Sequence, residues 1–247
     1  MSSQWRLPRL SFFQSLRQSQ FTLPVRPEFL VSSSFHFVNP RHHVTATDNV
    51  TQAFPESVVA GLSDEEALAL FTRGFFGGFI FGFERSILRL GGLEFAASAV
   101  YGVLWNGTQR FPLLTEIVVI GFQGDPQACQ IWNTSELPRS HLLPVGSSLF
   151  GSFKVMDKQI GPESSGQRAS YVDYGFGSDE FTFAGCHRFQ ITRSPRIGAE
   201  PLVQFELQHF RCNPQKNEPS VAEYLAWFHY AYAKSLFANA VQCILLR

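Results

Sequence analysis

The stretch RGFFGGFIFGFER, residues 73–85, constrains the fold more than any other part of this chain. Ten uncharged residues separate Arg73 from Glu84, and five of them are phenylalanine. Such a run has to be hidden in a membrane, against a partner or inside the protein. A spanning helix needs about 20 predominantly apolar residues, and Arg73, Glu84, Arg85 and Arg89 interrupt this one. A helix lying flat on lipid carries a dense cationic face, which this stretch lacks. It therefore reads as a short buried helix.

Its spacing agrees. Ser63-Asp64-Glu65-Glu66 has the pattern of a capping box, in which the serine oxygen accepts from the amide three residues on and Glu66 reaches back. A helix starting there can run to about Leu90, and Phe71, Phe75, Phe79, Phe83 and Ile87 then form one stripe. Gly74, Gly78 and Gly82 form a second row, which lets another backbone approach closely. Each glycine costs about 1 kcal/mol of helix propensity, so a kink or break is expected near Gly77-Gly78.

The whole chain of 247 residues has 26 phenylalanines. A single compact core seldom needs so many large rings, so some are expected to wall a cavity or meet a partner. Lys+Arg and Asp+Glu are both 20. This balance gives no nucleic-acid footprint and no steering of highly charged substrates. Cys129, Cys186, Cys212 and Cys243 are widely spaced, with no C-x-x-C pair for a zinc knuckle or a dithiol. Scattered cysteines suit a reducing, cytoplasmic setting. The first 27 residues carry Arg6, Arg9, Arg17 and Arg26 and no acid. They read as an ordinary polar arm, with organelle targeting as the alternative.

Residues 1–56 read as an extended arm, because prolines at 8, 24, 27, 40 and 55 argue against packed elements. Within it, SFHFV at 34–38 alternates like a short strand, and His42 and His43 read as solvated. Residues 57–247 read as a single α+β ligand-binding domain. A second helix is expected over 94–105 and strands over 113–122, 149–157 and 167–177. FTFAGCHRFQIT, 181–192, and PLVQFELQHF, 201–210, form the clearest pair, joined by a turn containing Pro195 and Gly198. A second capping box at Ser220–Glu223 opens a long final helix with the stripe Val221, Leu225, Phe228, Tyr232, Leu236 and Cys243. The fold class is thus α+β: a curved antiparallel sheet on a long C-terminal helix, with a phenylalanine-rich N-terminal helix and an extended arm. A bent sheet closed by a helix leaves a cavity, a layout similar to the helix grip.

YGFGSDEFTFAGCHRF at 174–189, followed by VQFELQHFRCNP at 203–214, resembles the uncharacterised family called domain of unknown function nineteen-ninety. The matching residues are Tyr174, Gly175, Gly177, Ser178, Gly185, Arg188, Phe189, Phe210 and Pro214, and the long final helix completes the likeness. Cys186-His187 stands where that family has an acidic pair, and the N-terminal half does not match. The resemblance implies fold rather than activity.

The chain has no nucleophile elbow, P-loop, dinucleotide fingerprint or H-E-x-x-H, so neither a cofactor nor a metal is expected. What remains is one face of the strand pair. A turn centred near Ile197 puts Phe189 opposite Phe205 and His187 opposite Leu207, with His209 diagonal to His187 on the same apolar face. Each histidine is either a general acid or hydrogen-bond donor to a bound molecule, or a core residue bonded to a backbone carbonyl. Tyr171 joins His187 and His209 as a candidate catalytic residue. Tyr174 reads as structural, and Arg188 and Glu206 as an outward, surface pair. Candidate substrate-binding residues are Phe181, Phe183, Phe189 and Phe205 on the strands, Phe79 and Phe83 on the first helix, and Trp227 and Phe228 on the last. The expected function is a cofactor-free cyclase or isomerase for a hydrophobic terpenoid or polyketide, a Diels–Alder-type cyclase of secondary-metabolite biosynthesis being one form, with a non-catalytic carrier as the alternative. Expected partners are that small molecule and at most a weak homo-oligomer, with no nucleic acid and no transmembrane segment.

Overall fold

Apolar and polar residues alternate along four long segments, and all four become neighbouring strands of one sheet. The computed structural model describes residues 12–82, 124–162, 168–177, 182–194, 200–219 and 226–247. Helix 94–105, strand 113–122, Phe83, Ile87, Phe181, the 195–199 turn and the Ser220 capping box lie outside the described residues, as does the side chain of Trp227. The strands are β1 (Gln20–Thr22), β2 (Thr45–Pro55), β3 (Gln130–Ile131), β4 (Ser148–Leu149), β5 (Phe153–Gln159), β6 (Arg168–Gly177), β7 (Ala184–Ser194) and β8 (Leu202–Cys212). They form one eight-stranded sheet in the order β1-β2-β8-β7-β6-β5-β4-β3. All pairs are antiparallel except β3 with β4.

The architecture is the expected α+β arrangement, a large sheet packed on the final helix. The helices are α1 (Phe12–Gln18), α2 (Pro27–Leu30), α3 (Ser33–Val38), α4 (Asp64–Gly77) and α5 (Ala226–Leu245). The inner face of the sheet carries the main core, where Phe71, Phe75 and Phe76 of α4 meet Phe189, Phe205 and Tyr174 of the sheet and Phe237 of α5.

Residues 12–55 do not form an extended arm. SFHFV is helix α3 rather than a strand, capped by Ser32, whose hydroxyl accepts from the Phe35 amide. β2 pairs with β8 along its full length, from Thr45 opposite Cys212 to Pro55 opposite Leu202. Two of these prolines sit where they cost nothing, Pro27 in the first turn of α2 and Pro55 at the end of β2. α2 and α3 cover the outer face, where Phe29, Phe35 and Val38 pack on Cys186, Phe210 and Cys212.

That cover also buries charges read from the sequence as a surface pair. Arg188 and Glu206 do lie on the outer face, but each has another partner. Arg188 donates from Nε and Nη2 to both oxygens of Asp173 at 2.7 Å, with its guanidinium 3.9 Å from the Tyr171 ring centre. Glu206 accepts from the Arg26 guanidinium. Removing one member of a buried pair strands the other, at a cost of about 3–5 kcal/mol, whereas replacing both is far milder. Asp173→Ala is therefore expected to lose stability in urea unfolding by that amount, and the double variant Asp173→Leu/Arg188→Leu to lose less. The reverse order would show that the pair is not desolvated.

α4 follows its sequence signals. The Ser63 hydroxyl accepts from the Glu66 amide and the Glu66 carboxylate accepts from the Ser63 amide. The helix stops at Gly77, and a new helical turn begins at residue 79. The glycine row does bring a second backbone close. A Cβ on Gly74 would lie 2.6 Å from Cys243 Cβ, 2.7 Å from Ala240 Cα and 2.8 Å from the Asn239 carbonyl oxygen, all on α5. Asn239 Nδ2 donates to the Gly74 carbonyl at 2.9 Å and locks the crossing. Gly74→Ala gains about 1 kcal/mol of propensity but forces the helices apart, an overpacking cost of about 1–3 kcal/mol. Gly77→Ala meets only ordinary contact, 3.5 Å from Leu137 Cδ1. Thermal unfolding is expected to show a lower Tm for Gly74→Ala and no loss for Gly77→Ala.

Candidate functional site

Period two along β7 and β8 aims His187, Phe189 and Ile191, and Phe205, Leu207 and His209, at the inner face. The register differs from the expected one by two positions: His187 lies directly opposite His209, and Phe189 opposite Leu207. The imidazole centroids are 4.8 Å apart. The next strand continues the row, with Asp48 of β2 opposite His209. From the opposing layer, His229 in the first turns of α5 comes down on the same carboxylate. Asp48 Oδ2 accepts hydrogen bonds at 3.0 Å from His209 Nδ1 and at 2.8 Å from His229 Nε2. Arg211 Nη1 is 3.4 Å from the same oxygen.

His187, His209, Asp48 and His229 line one end of a cavity of about 150 Å³. Its remaining wall is aromatic and aliphatic: Phe75, Phe81, Phe153, Phe176 and Phe183, with Leu207, Tyr232, Ala233 and Leu236. Phe176 lies 4.8 Å from the His187 ring and 5.7 Å from the His209 ring. It reaches both because Gly185, opposite it on β7, leaves room. A Cβ there would sit 2.5 Å from Phe176 Cζ.

The electrostatics follow from burial. Removal from water holds His187 well below the ordinary imidazole range, helped by His209 and opposed by Asp48. Burial also lowers His209, and the Asp48 carboxylate offsets only part of this. Burial pushes the Asp48 carboxyl up, but the two imidazoles on its oxygen outweigh this and hold it well below the usual carboxylate range. The end state is a buried carboxylate gripped by imidazole N–H groups. Two polar atoms of residues lining the cavity, His187 Nδ1 and Asp48 Oδ1, are buried without a hydrogen bond, as is Nε of the neighbouring Arg211. An unsatisfied buried polar atom costs about 1–3 kcal/mol, so a ligand that satisfied either would gain that much.

Of the residues singled out from the sequence, His187, His209 and Phe183 reach the cavity. Phe189 and Phe205 are buried in the core beneath it rather than in its wall. Phe79 is 65% exposed and packs on Phe12 of α1, because the break after Gly77 turns it away from the sheet. Phe228 is 53% exposed, stacked on Tyr232, and is not a wall residue. Tyr171 is not part of the site. It belongs to the outer face, donates to Asp157 at 3.0 Å and lies under Arg188. Tyr174 is on the inner face but is fully buried and bonded to Thr72 at 2.9 Å.

Asp48 and His229 were missed. Asp48 sat in the polar stretch read as an arm, and only its alternation with Val50, Gln52 and Phe54 marked it as facing inward. His229 shares a helical face with Tyr232, Ala233 and Leu236, a spacing the chosen stripe passed over.

No family model matches the chain, and no curated protein or solved structure matches it either. Among the described residues no helix is long and apolar enough to cross a membrane.

Burial and the Asp157 carboxylate push the Tyr171 phenol up to about 12, from an ordinary value of 10.0. A folded-state value above the unfolded one contributes stability below pH 10 that is lost as pH rises toward 12. The alkaline slope of stability is therefore expected to be shallower in Tyr171→Phe. That variant is also expected to leave the affinity of the cavity for small aromatic probes unchanged, since the phenol lies across the sheet. A loss of probe affinity would return Tyr171 to the site.

Proposed function

We propose that the protein binds a small, mainly apolar molecule with one polar group in this cavity and catalyses its isomerisation by proton transfer. The observation that carries this reading is the unpartnered, buried His187 Nδ1 beside an apolar, aromatic-walled space. A neutral imidazole in such a place can take a proton from one carbon of a bound ring and return it to another. The proton leaves the substrate, rests on His187 and goes back, so no oxidant or other reactant is consumed. The aromatic wall holds the ring in one orientation, which can itself supply a large part of the barrier. His209 packs against the His187 ring and steadies it.

Size favours isomerisation over cyclisation. A cavity of about 150 Å³ is on the scale that admits one benzene-sized ring. This points to a compact substrate rather than a full terpenoid or polyketide skeleton.

The test uses 3-cyclohexenone, a ring of that size with one carbonyl. The wild-type protein is expected to convert it to the conjugated 2-cyclohexenone, followed by the rise in ultraviolet absorbance. His187→Phe is expected to bind the probe while losing about 100-fold or more of the rate, the usual scale for a positioned acid–base group. Equal rates for both proteins would remove the catalytic part of the reading. Binding without turnover, together with an unaltered ligand retained through purification in native mass spectrometry, would assign the cavity to a carrier.

A further inference from the structure

Asp48, His209 and His229 come from β2, β8 and α5, and each offers a ligand atom within 4.8 Å of the other two. Such a meeting of two imidazoles and one carboxylate has a specific chemistry. Imidazole nitrogen with a single carboxylate suits zinc, and the same set of two histidines and one carboxylate suits iron(II). Magnesium and calcium prefer all-oxygen shells. We propose that Asp48, His209 and His229 form a binding site for a divalent transition-metal ion, with its open coordination position turned into the cavity.

Four observations converge on this. Asp48 and His209 are each 2% exposed, so the carboxylate and one imidazole are desolvated together at the floor of the cavity. The second carboxylate oxygen, Oδ1, has no hydrogen-bond partner and is free to bind an ion, which would replace the imidazole N–H contacts to Oδ2 as those nitrogens become ligands. His229 retains 26% of its side-chain exposure, which provides an entry path. All three residues line the cavity, so a position left open by three protein ligands faces the bound molecule rather than the core. Arg211, 3.4 Å from Asp48 Oδ2, holds the carboxylate in place as an outer partner. It also adds positive charge beside the ion, so the open position favours hydroxide or an anionic oxygen of the bound molecule. His187 is a neighbour of this set and not one of its ligands.

The site does not depend on the isomerase reading and is tested without any organic ligand. Full-length protein is stripped with a chelator and titrated with cobalt(II), then with zinc. One equivalent of cobalt is expected to give the intense visible bands of a low-symmetry site, and zinc is expected to displace it. His229→Gln and Asp48→Asn are each expected to weaken zinc binding at least tenfold, measured by competition with a chromophoric chelator. His229 lies at the start of a helix and is partly exposed, so its substitution tests the site even if the Asp48 variant fails to fold. His187→Phe is expected to keep the full cobalt spectrum while losing turnover of 3-cyclohexenone. That contrast separates failure of the metal site from failure of the cavity reading. A stoichiometric cobalt signal that survives His229→Gln, or one that falls instead on His36→Ala at the His36–His42 ring contact on the other side of the sheet, would overturn the assignment. No saturable binding of either metal would overturn it as well.

Discussion

The pairing of β2 with β8 is the constraint on which the rest of the molecule depends. Eleven residues of each strand face each other without a bulge. That ladder completes the sheet beside the β6-β7-β8 meander and carries Asp48 to the side of His209. It also fixes the chain on either side of β2. Upstream, α2 and α3 pass over the outer face and α1 reaches the inner side, where Ser15 donates to Gln52 at 2.7 Å. Downstream, the chain is delivered to α4, whose Gly74 seats α5. The cavity is what these placements leave between β7, β8, α4 and α5.

Covering both faces of the sheet has an electrostatic result. β7 and β8 are buried on both sides, so their outward polar residues could not be left to water. They are paired instead: Arg188 with Asp173, Glu206 with Arg26, and Gln208 with Gln190 at 3.2 Å. On the inner side the same logic stops short. Asp48 binds two imidazoles, yet its second oxygen and His187 Nδ1 have no partner. Unlike the unpaired Asn49 Oδ1 elsewhere in the sheet, these two atoms belong to residues that line one cavity, which separates the site from ordinary core.

The fold class was legible because period two and period 3.6 are local properties. β6, β7, β8 and α4 announce themselves through alternation, a capping box and the Gly77-Gly78 break. The register of β7 on β8 was not legible to the residue, because it depends on a turn whose geometry the sequence does not state. Its error of two positions did no harm to the faces, since a slip of two returns every side chain to the same side. The site was half legible for the same reason. His187 and His209 sit on strands with a clear pattern, whereas Asp48 and His229 become partners only through contacts between residues far apart in sequence. TATDNVTQAFP reads as a polar linker until β8 lies against it. Arg188 and Glu206 look solvated until α2 and α3 are in place.

The β2–β8 ladder also orders events in time. During synthesis β2 emerges early, and its hydrogen-bonding partner is made only when most of the chain has followed. Long-range pairings of this kind are slow to close, and unpaired strand edges attract other chains while they wait. The sheet therefore cannot form one edge at a time from the N-terminus. β2 can pair with β8 only once β8 has been made, so the event that covers this early strand also brings Asp48 beside His209 in the cavity.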